Sequence, residues 1–168
     1  MKVELKSVLT QNEIQAVSDM ADVIWREHYA SVLSANQIDY MLKKFQSPSA
    51  IAQAISEGYE YYFINYADAP VGYISIKLDS VDRKMFISKI YLLSDYRGKG
   101  CAYQAINQLI EICKGNQLDT IWLTVNKNNS SIERYKRIGF YIADSIVTDI
   151  GNGFVMDDYV MEMQVQKV

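Results

Sequence analysis

A chain of 168 residues that is 49% hydrophobic and 22% charged, with no biased or repetitive tract, has the make-up of one soluble domain, residues 1–168, with a proper core. Its formal net charge of −3 speaks against a nucleic-acid binder, and no apolar stretch approaches the ~20 residues of a bilayer span. The N-terminal MKVELKSVLT alternates polar and apolar residues and lacks the apolar core of a signal peptide, so no membrane partner and a cytoplasmic location are expected.

The run KVELKSV alternates and predicts a first strand. Thr10 and Glu13 then form a capping-box pattern, followed at helical spacing by Ile14, Val17, Ala21, Ile24 and His28. A second capping pattern, Ser34 to Gln37, opens ANQIDYMLKKF; Pro48 interrupts this helical stretch, and SAIAQAISEG stops at Gly58. The period then changes. YEYYFINYA and VGYISIKLD, joined by a turn at DAP, predict a hairpin, and MFISKIYLL a third strand of the same kind.

From Gly100 a helical stripe runs through Ala105, Ile106, Leu109, Ile110 and Cys113 and ends near Gly115. DTIWLTV is short and nearly all apolar, as a buried central strand requires. SSIERYKRIGF predicts a short helix with a Ser130–Glu133 capping box and a Gly139 stop, and FYIADSIVTDI and FVMDDYVMEMQV flank a GNG turn. Cys101 and Cys113 lie twelve residues apart in one predicted helix, roughly 18 Å along its axis, too far for a disulfide. With His28 as the one histidine there is no zinc pattern, and no metal is expected.

The junction LLSDYRGKGCAYQAI carries the chemistry. Between a strand and a helix it sets Arg97, Gly98, Lys99 and Gly100. Glycine admits close approach to the main chain. The first turn of the following helix offers unpaired N–H donors and the positive end of its dipole, which together make an anion site. It is neither a Walker loop nor G-x-G-x-x-G, because the third glycine position is Tyr103. Downstream, WLTVNKNNSSIERYKRIGF supplies Asn128, Ser131, Tyr135, Gly139 and Phe140.

Here the chain resembles the GNAT superfamily of acyl-CoA-dependent N-acetyltransferases. Arg97, Gly100 and Ala102 match that family's [Q/R]-x-x-G-x-[G/A] loop, and the five downstream residues match its N-x-x-[A/S]-x-x-x-Y-x-x-x-G-F signature. The resemblance implies an α/β (α+β) fold: a mixed, mostly antiparallel, twisted sheet of about seven strands with helices on both faces. It also implies acetyl-CoA as cosubstrate. The pyrophosphate would fall to the main chain of Gly98, Lys99, Gly100, Cys101, Ala102 and Tyr103, beside Arg97. The pantetheine arm would fall to Ile90, Tyr91, Leu92 and Asn128. Tyr135 takes the place of the general acid, a phenol of ordinary pKa near ~10 able to protonate the leaving thiolate.

The expected general base is missing. The strands MFISKIYLL and IWLTV carry no carboxylate, and Lys89 is their one charged residue. The amine's proton would leave through water, through a tyrosine, or to Asp157 or Asp158, either exposed turn-flanking residues or an anchor for a cationic substrate. Trp25, His28 and Tyr29, at the end of the first long helix, and one of the adjacent Tyr61 and Tyr62 are candidates for the acceptor pocket. The C-terminal NGFVMDDYVMEM and the overall layout are similar to bacterial polyamine (spermidine/spermine) acetyltransferases, which implies a small-molecule amine as partner. A protein N-terminal acetyltransferase and a non-catalytic acyl-CoA sensor are the alternatives. The tyrosine-rich edges suit a homodimer and a monomer equally.

Overall fold

The computed structural model describes residues 2–165. The elements are β1 (Val3–Ser7), α1 (Gln11–Tyr29), α2 (Ala35–Phe45), α3 (Pro48–Ser56), β2 (Glu60–Tyr66), β3 (Ala69–Asp79), β4 (Lys84–Leu92), α4 (Cys101–Gly115), β5 (Thr120–Asn126), α5 (Ser131–Ile138), β6 (Tyr141–Gly151) and β7 (Phe154–Gln164). A single 3-10 turn, Ser94–Tyr96, joins β4 to α4. The strands form a seven-stranded mixed sheet in the order β1-β2-β3-β4-β5-β7-β6, as the expected fold requires. β4 and β5 run parallel, while β1–β2, β2–β3, β5–β7 and β6–β7 are antiparallel. By its contacts the chain divides into two compact units, Met1–Lys77 with Lys89–Gln108, and Leu78–Ser88 with Leu109–Val168.

In the first unit, α1 begins on a complete capping box: Thr10 Oγ1 accepts the Glu13 N–H at 3.1 Å and Glu13 Oε1 accepts the Thr10 N–H at 2.9 Å. Its inward stripe is Ile14, Val17, Ala21, Ile24, Trp25 and Tyr29, so the stripe closes on Tyr29 and leaves His28 half-buried. Pro48 does more than interrupt the next helix. Its fixed φ suits the first helical position, and with Ser47 capping the Ala50 N–H at 3.2 Å it starts α3. Three helices therefore precede β2 where two were expected. The edge strand β1 is held from α4, where Gln104 and Gln108 accept the Val3 and Leu5 N–H groups at 2.9 and 3.3 Å.

The second unit is built on β5. Its ladder with β4 covers four pairs, Lys84↔Thr120 to Ile87↔Leu123, and Phe86 stacks on Trp122 at 4.1 Å. On its other side β5 pairs with β7 along its whole length, from Thr120↔Gln164 to Asn126↔Asp158. The β6–β7 hairpin turns on Asn152 and Gly153 at φ +55° and +78°, the left-handed pair that a two-residue turn demands. β6 is exposed from Tyr141 to Asp149, whereas Met161 and Met163 of β7 are buried. The capping box expected for α5 does not form: Ser130 has helical φ and ψ and caps nothing, and Asn129 Oδ1 accepts the Ser131 N–H at 2.7 Å instead.

Candidate active site

The glycine-rich turn has the backbone an anion site needs. Gly98 and Gly100 sit at φ +73° and +80°, a region that disfavours a side chain, and a Cβ on either would meet no atom within 4 Å. The first intrahelical bond of α4 is Gln104 N–H to the Gly100 carbonyl at 3.0 Å. The N–H groups of Cys101, Ala102 and Tyr103 therefore precede the helical ladder and belong to its unpaired first turn. Arg97 lies alongside: its Nε donates to the Leu92 carbonyl at 3.2 Å, while its buried Nη2 has no hydrogen-bond partner. Lys99 stands 5.7 Å from the Tyr96 ring. An open main-chain cradle beside an orphaned guanidinium nitrogen fits a diphosphate.

The end of β4 is set by its neighbour. β4 alternates inward at Met85 and Ile87, and then loses its alternation over half-buried residues 88–91. Leu93 N–H donates to the Val71 carbonyl at 2.9 Å, and β3 passes so close that a Cβ on Gly72 would lie 2.2 Å from the Tyr91 carbonyl oxygen. Ile90, Tyr91 and Leu92 thus follow the last β4–β5 pair.

Trp25, Tyr29 and Tyr91 come together. The Trp25 ring lies 5.0 Å from Tyr29 and 5.3 Å from Tyr91, and the two tyrosine hydroxyls are 3.1 Å apart. Beneath them, Trp25 Nε1 donates to Tyr73 Oη at 3.1 Å, and Tyr73 Oη donates to Gln46 Oε1 at 3.2 Å. Complete burial holds the Tyr73 phenol well above its ordinary pKa. Of the adjacent tyrosines only Tyr61 is buried, and burial pushes its phenol up to about 12. Lys89 lies 5.5 Å from that ring, with its ammonium pulled down to about 8 by burial.

In the second unit the asparagine loop is built by its own side chains. Asn126 Oδ1 accepts the Asn128 N–H at 2.9 Å, which leaves Asn128 exposed at the head of the turn. Arg134 donates to Ser131 Oγ at 3.1 Å. Tyr135 is half-buried, its ring meeting the Phe140 edge at 5.7 Å, and Gly139 at φ +130° ends α5 on the Tyr135 carbonyl. Asp157 is exposed and paired with Lys127 at 2.9 Å.

Its neighbour differs from the expected turn-flanking acid. Asp158 lies inside β7, is 4% exposed, and has no partner for Oδ1. Burial first, and then the Asp157 charge, raise its carboxyl to about 6 against the opposing pull of Lys127. The Met161/Met163 alternation in the sequence puts position 158 on the polar face and gives no sign of this burial.

A strand, a glycine-rich turn with an open main-chain cradle and a helix in a mixed sheet, followed by an asparagine loop and a tyrosine-bearing helix, are the layout of an acyltransferase fold. The sequence profile of the acetyltransferase (GNAT) family matches residues 17–140, and the chain belongs to that family. It is 32% identical over 84 residues to the probable N-acetyltransferase san of Drosophila melanogaster, covering 48% of this chain and 46% of that protein. The chain thus spans less than half the length of the curated relatives it matches.

Among solved structures, the PaiA N-acetyltransferase of Thermoplasma acidophilum in complex with coenzyme A superposes with a TM-score of 0.79 at 20% identity, over 98% of this chain and 99% of that one. The spermidine N-acetyltransferase of Vibrio cholerae in complex with CoA and spermine does so with a TM-score of 0.71 at 16% identity, over 97% and 95%. At these identities the likeness is one of fold. No helix among the described residues is long and apolar enough to cross a membrane.

Proposed function

We propose that this chain transfers the acetyl group of acetyl-CoA to a primary amine of a small molecule, with aliphatic polyamines as the first acceptor class to test. The carrying observation is the Arg97–Tyr103 turn: two glycines at positive φ, an open cradle and an unpaired buried guanidinium nitrogen. Bound acetyl-CoA supplies an activated thioester carbonyl. The N–H groups of residues 98–103 and Arg97 hold the pyrophosphate, while the main chain of Ile90, Tyr91 and Leu92, with Asn128, orients the pantetheine arm. Tyr135 gives its hydroxyl proton to the departing thiolate. Its half-buried ring, fixed against Phe140, suits a group that must present one polar atom from an apolar setting. Trp25 and Tyr29 wall the acceptor side, while the pairing of Asp157 with Lys127 at 2.9 Å leaves it a weak anchor for a cationic substrate.

The test is acetyl-CoA turnover, followed as free thiol, against polyamines, aminoglycosides, amino acids and short peptides. Turnover on one amine class is expected, with kcat falling about 10²-fold in Tyr135→Phe while acetyl-CoA affinity stays within about threefold. Acetyl-CoA binding without turnover on any amine overturns the proposal in favour of a sensor. Turnover on peptides alone moves the acceptor class to protein N-termini.

A further inference from the structure

Among the described residues of β4 and β5 there is no carboxylate to take a proton from the acceptor amine. The ladder of β5 and β7 brings one to the end of β5. Asp158 stands directly opposite Asn126, the last residue of β5, with Cα atoms about 5 Å apart in such a pair. From Asn126 the chain passes at once into the asparagine loop and then into α5, which carries Tyr135.

The two adjacent aspartates are in opposite situations. Asp157 is exposed and already holds Lys127 at 2.9 Å, whereas Asp158 is 4% exposed and its Oδ1 has no hydrogen-bond partner. A buried carboxylate oxygen left unpaired is rare in a folded protein and calls for a partner. A primary ammonium, with three N–H donors and a positive charge, has the chemistry to be that partner.

We infer that Asp158 is the general base of the acetyl transfer, an inference that rests on the transferase reading above. In balance, the Asp158 carboxylate takes one proton from the acceptor R–NH3⁺. The freed nitrogen lone pair attacks the thioester carbonyl carbon, an amide C–N bond forms and the C–S bond breaks. The departing sulfur carries off the bonding pair and takes the Tyr135 proton; the new amide nitrogen sheds its second proton, which returns through water to the Tyr135 phenolate, and Asp158 releases the proton it took to solvent as products leave. A carboxyl with a pKa of about 6 is about 10²-fold more basic than an ordinary one, so it holds the amine proton better while still ionised at neutral pH.

Among the described residues, the charged and titratable groups along the strands beside Asp158 are few. On its own strand they are Asp157, tied to Lys127, and Glu162, tied to Lys84. β5 offers Asn126 opposite it and Lys127 next in the chain, and β6 offers Ile146 opposite it, with Asp144 and Asp149 to either side.

The experiment measures kcat and KM for the best amine as functions of pH at saturating acetyl-CoA, in wild type, Asp158→Asn and Asp158→Glu, with acetyl-CoA binding by calorimetry as the control for folding. Wild type is expected to gain kcat/KM through an ionisation near 6. Asp158→Asn should lose about 10²-fold in kcat with the amine KM and acetyl-CoA Kd each within about threefold, and should lose that ionisation. Asp158→Glu should recover part of the rate and restore a carboxylate ionisation. A rise in KM at unchanged kcat would make Asp158 an ammonium anchor and overturn the inference, as would unchanged kinetics in Asp158→Asn. Failure of the wild type itself to turn over any amine sinks the transferase reading, a result separable from both.

Discussion

Replacing Asp158 by asparagine should make the protein more stable at neutral pH. Burial raises the carboxyl from an ordinary 3.8 to about 6, so the folded protein holds this proton more tightly than the unfolded chain does. The stabilisation from that proton is fully present below 3.8 and is lost as the pH rises through 6, where the native state must carry a buried, unpaired charge. About two pKa units correspond to about 3 kcal/mol, and solvent screening lowers this to about 1–2 kcal/mol. Asparagine has nearly the same shape and no charge. Urea denaturation at steps between pH 4 and 8 should give a variant ahead by about 1–2 kcal/mol at pH 7.5, the gap closing towards pH 4. A variant less stable than wild type at pH 7.5, or a difference constant across the range, would refute the reasoning. A change that stabilises the protein while slowing its reaction would be a trade of stability for activity at a working site.

Two glycines give sharper geometric tests. Gly72→Ala would set a methyl 2.2 Å from the Tyr91 carbonyl oxygen and 2.9 Å from Leu92 Cδ2, so thermal unfolding should register a loss of about 2–3 kcal/mol and calorimetry a weaker grip on acetyl-CoA. Full retention of both would show that β3 does not set the end of β4. Gly100→Ala meets no atom within 4 Å, so its cost should be the left-handed backbone alone, about 1–2 kcal/mol. Its added methyl would occupy the phosphate approach, and acetyl-CoA affinity should fall at least about tenfold; unchanged affinity would remove the turn from the site.

The parts of this molecule legible in the sequence are those that local chemistry dictates. The glycine-rich turn between β4 and α4 and the threonine three residues before Glu13 were both readable from residue type and spacing alone. Pro48 was visible, but its reading depended on whether the chain resumes a helix at once, and Ser47 decided that by capping α3. The Ser130 capping box matched its pattern and still failed, because Asn129 supplies the acceptor one residue earlier. Asp158 was named among the acids that could take the amine's proton, but its burial was out of reach for a different reason. Which strand lies beside β7, and which residue of that strand faces position 158, is a matter of register between segments some thirty residues apart, and alternation within one strand carries no trace of it. The Trp25–Tyr73–Gln46 chain of hydrogen bonds is hidden in the same way.

The chain carries two tryptophans, and they fall one to each compact unit. Trp25 is ringed by Tyr29 and Tyr91 and donates its indole N–H to Tyr73, while Trp122 stacks on Phe86 of β4 and pairs across the ladder with Glu162 of β7. The two indoles therefore emit from unlike surroundings, one tied into a hydrogen bond among phenols and the other pressed flat against a benzyl ring. Removing either leaves a protein with a single tryptophan, whose emission, excited selectively at the red edge away from the thirteen tyrosines, belongs to one unit. The molecule thus contains its own pair of optical reporters, by which the melting of each half can be timed against the other without any label.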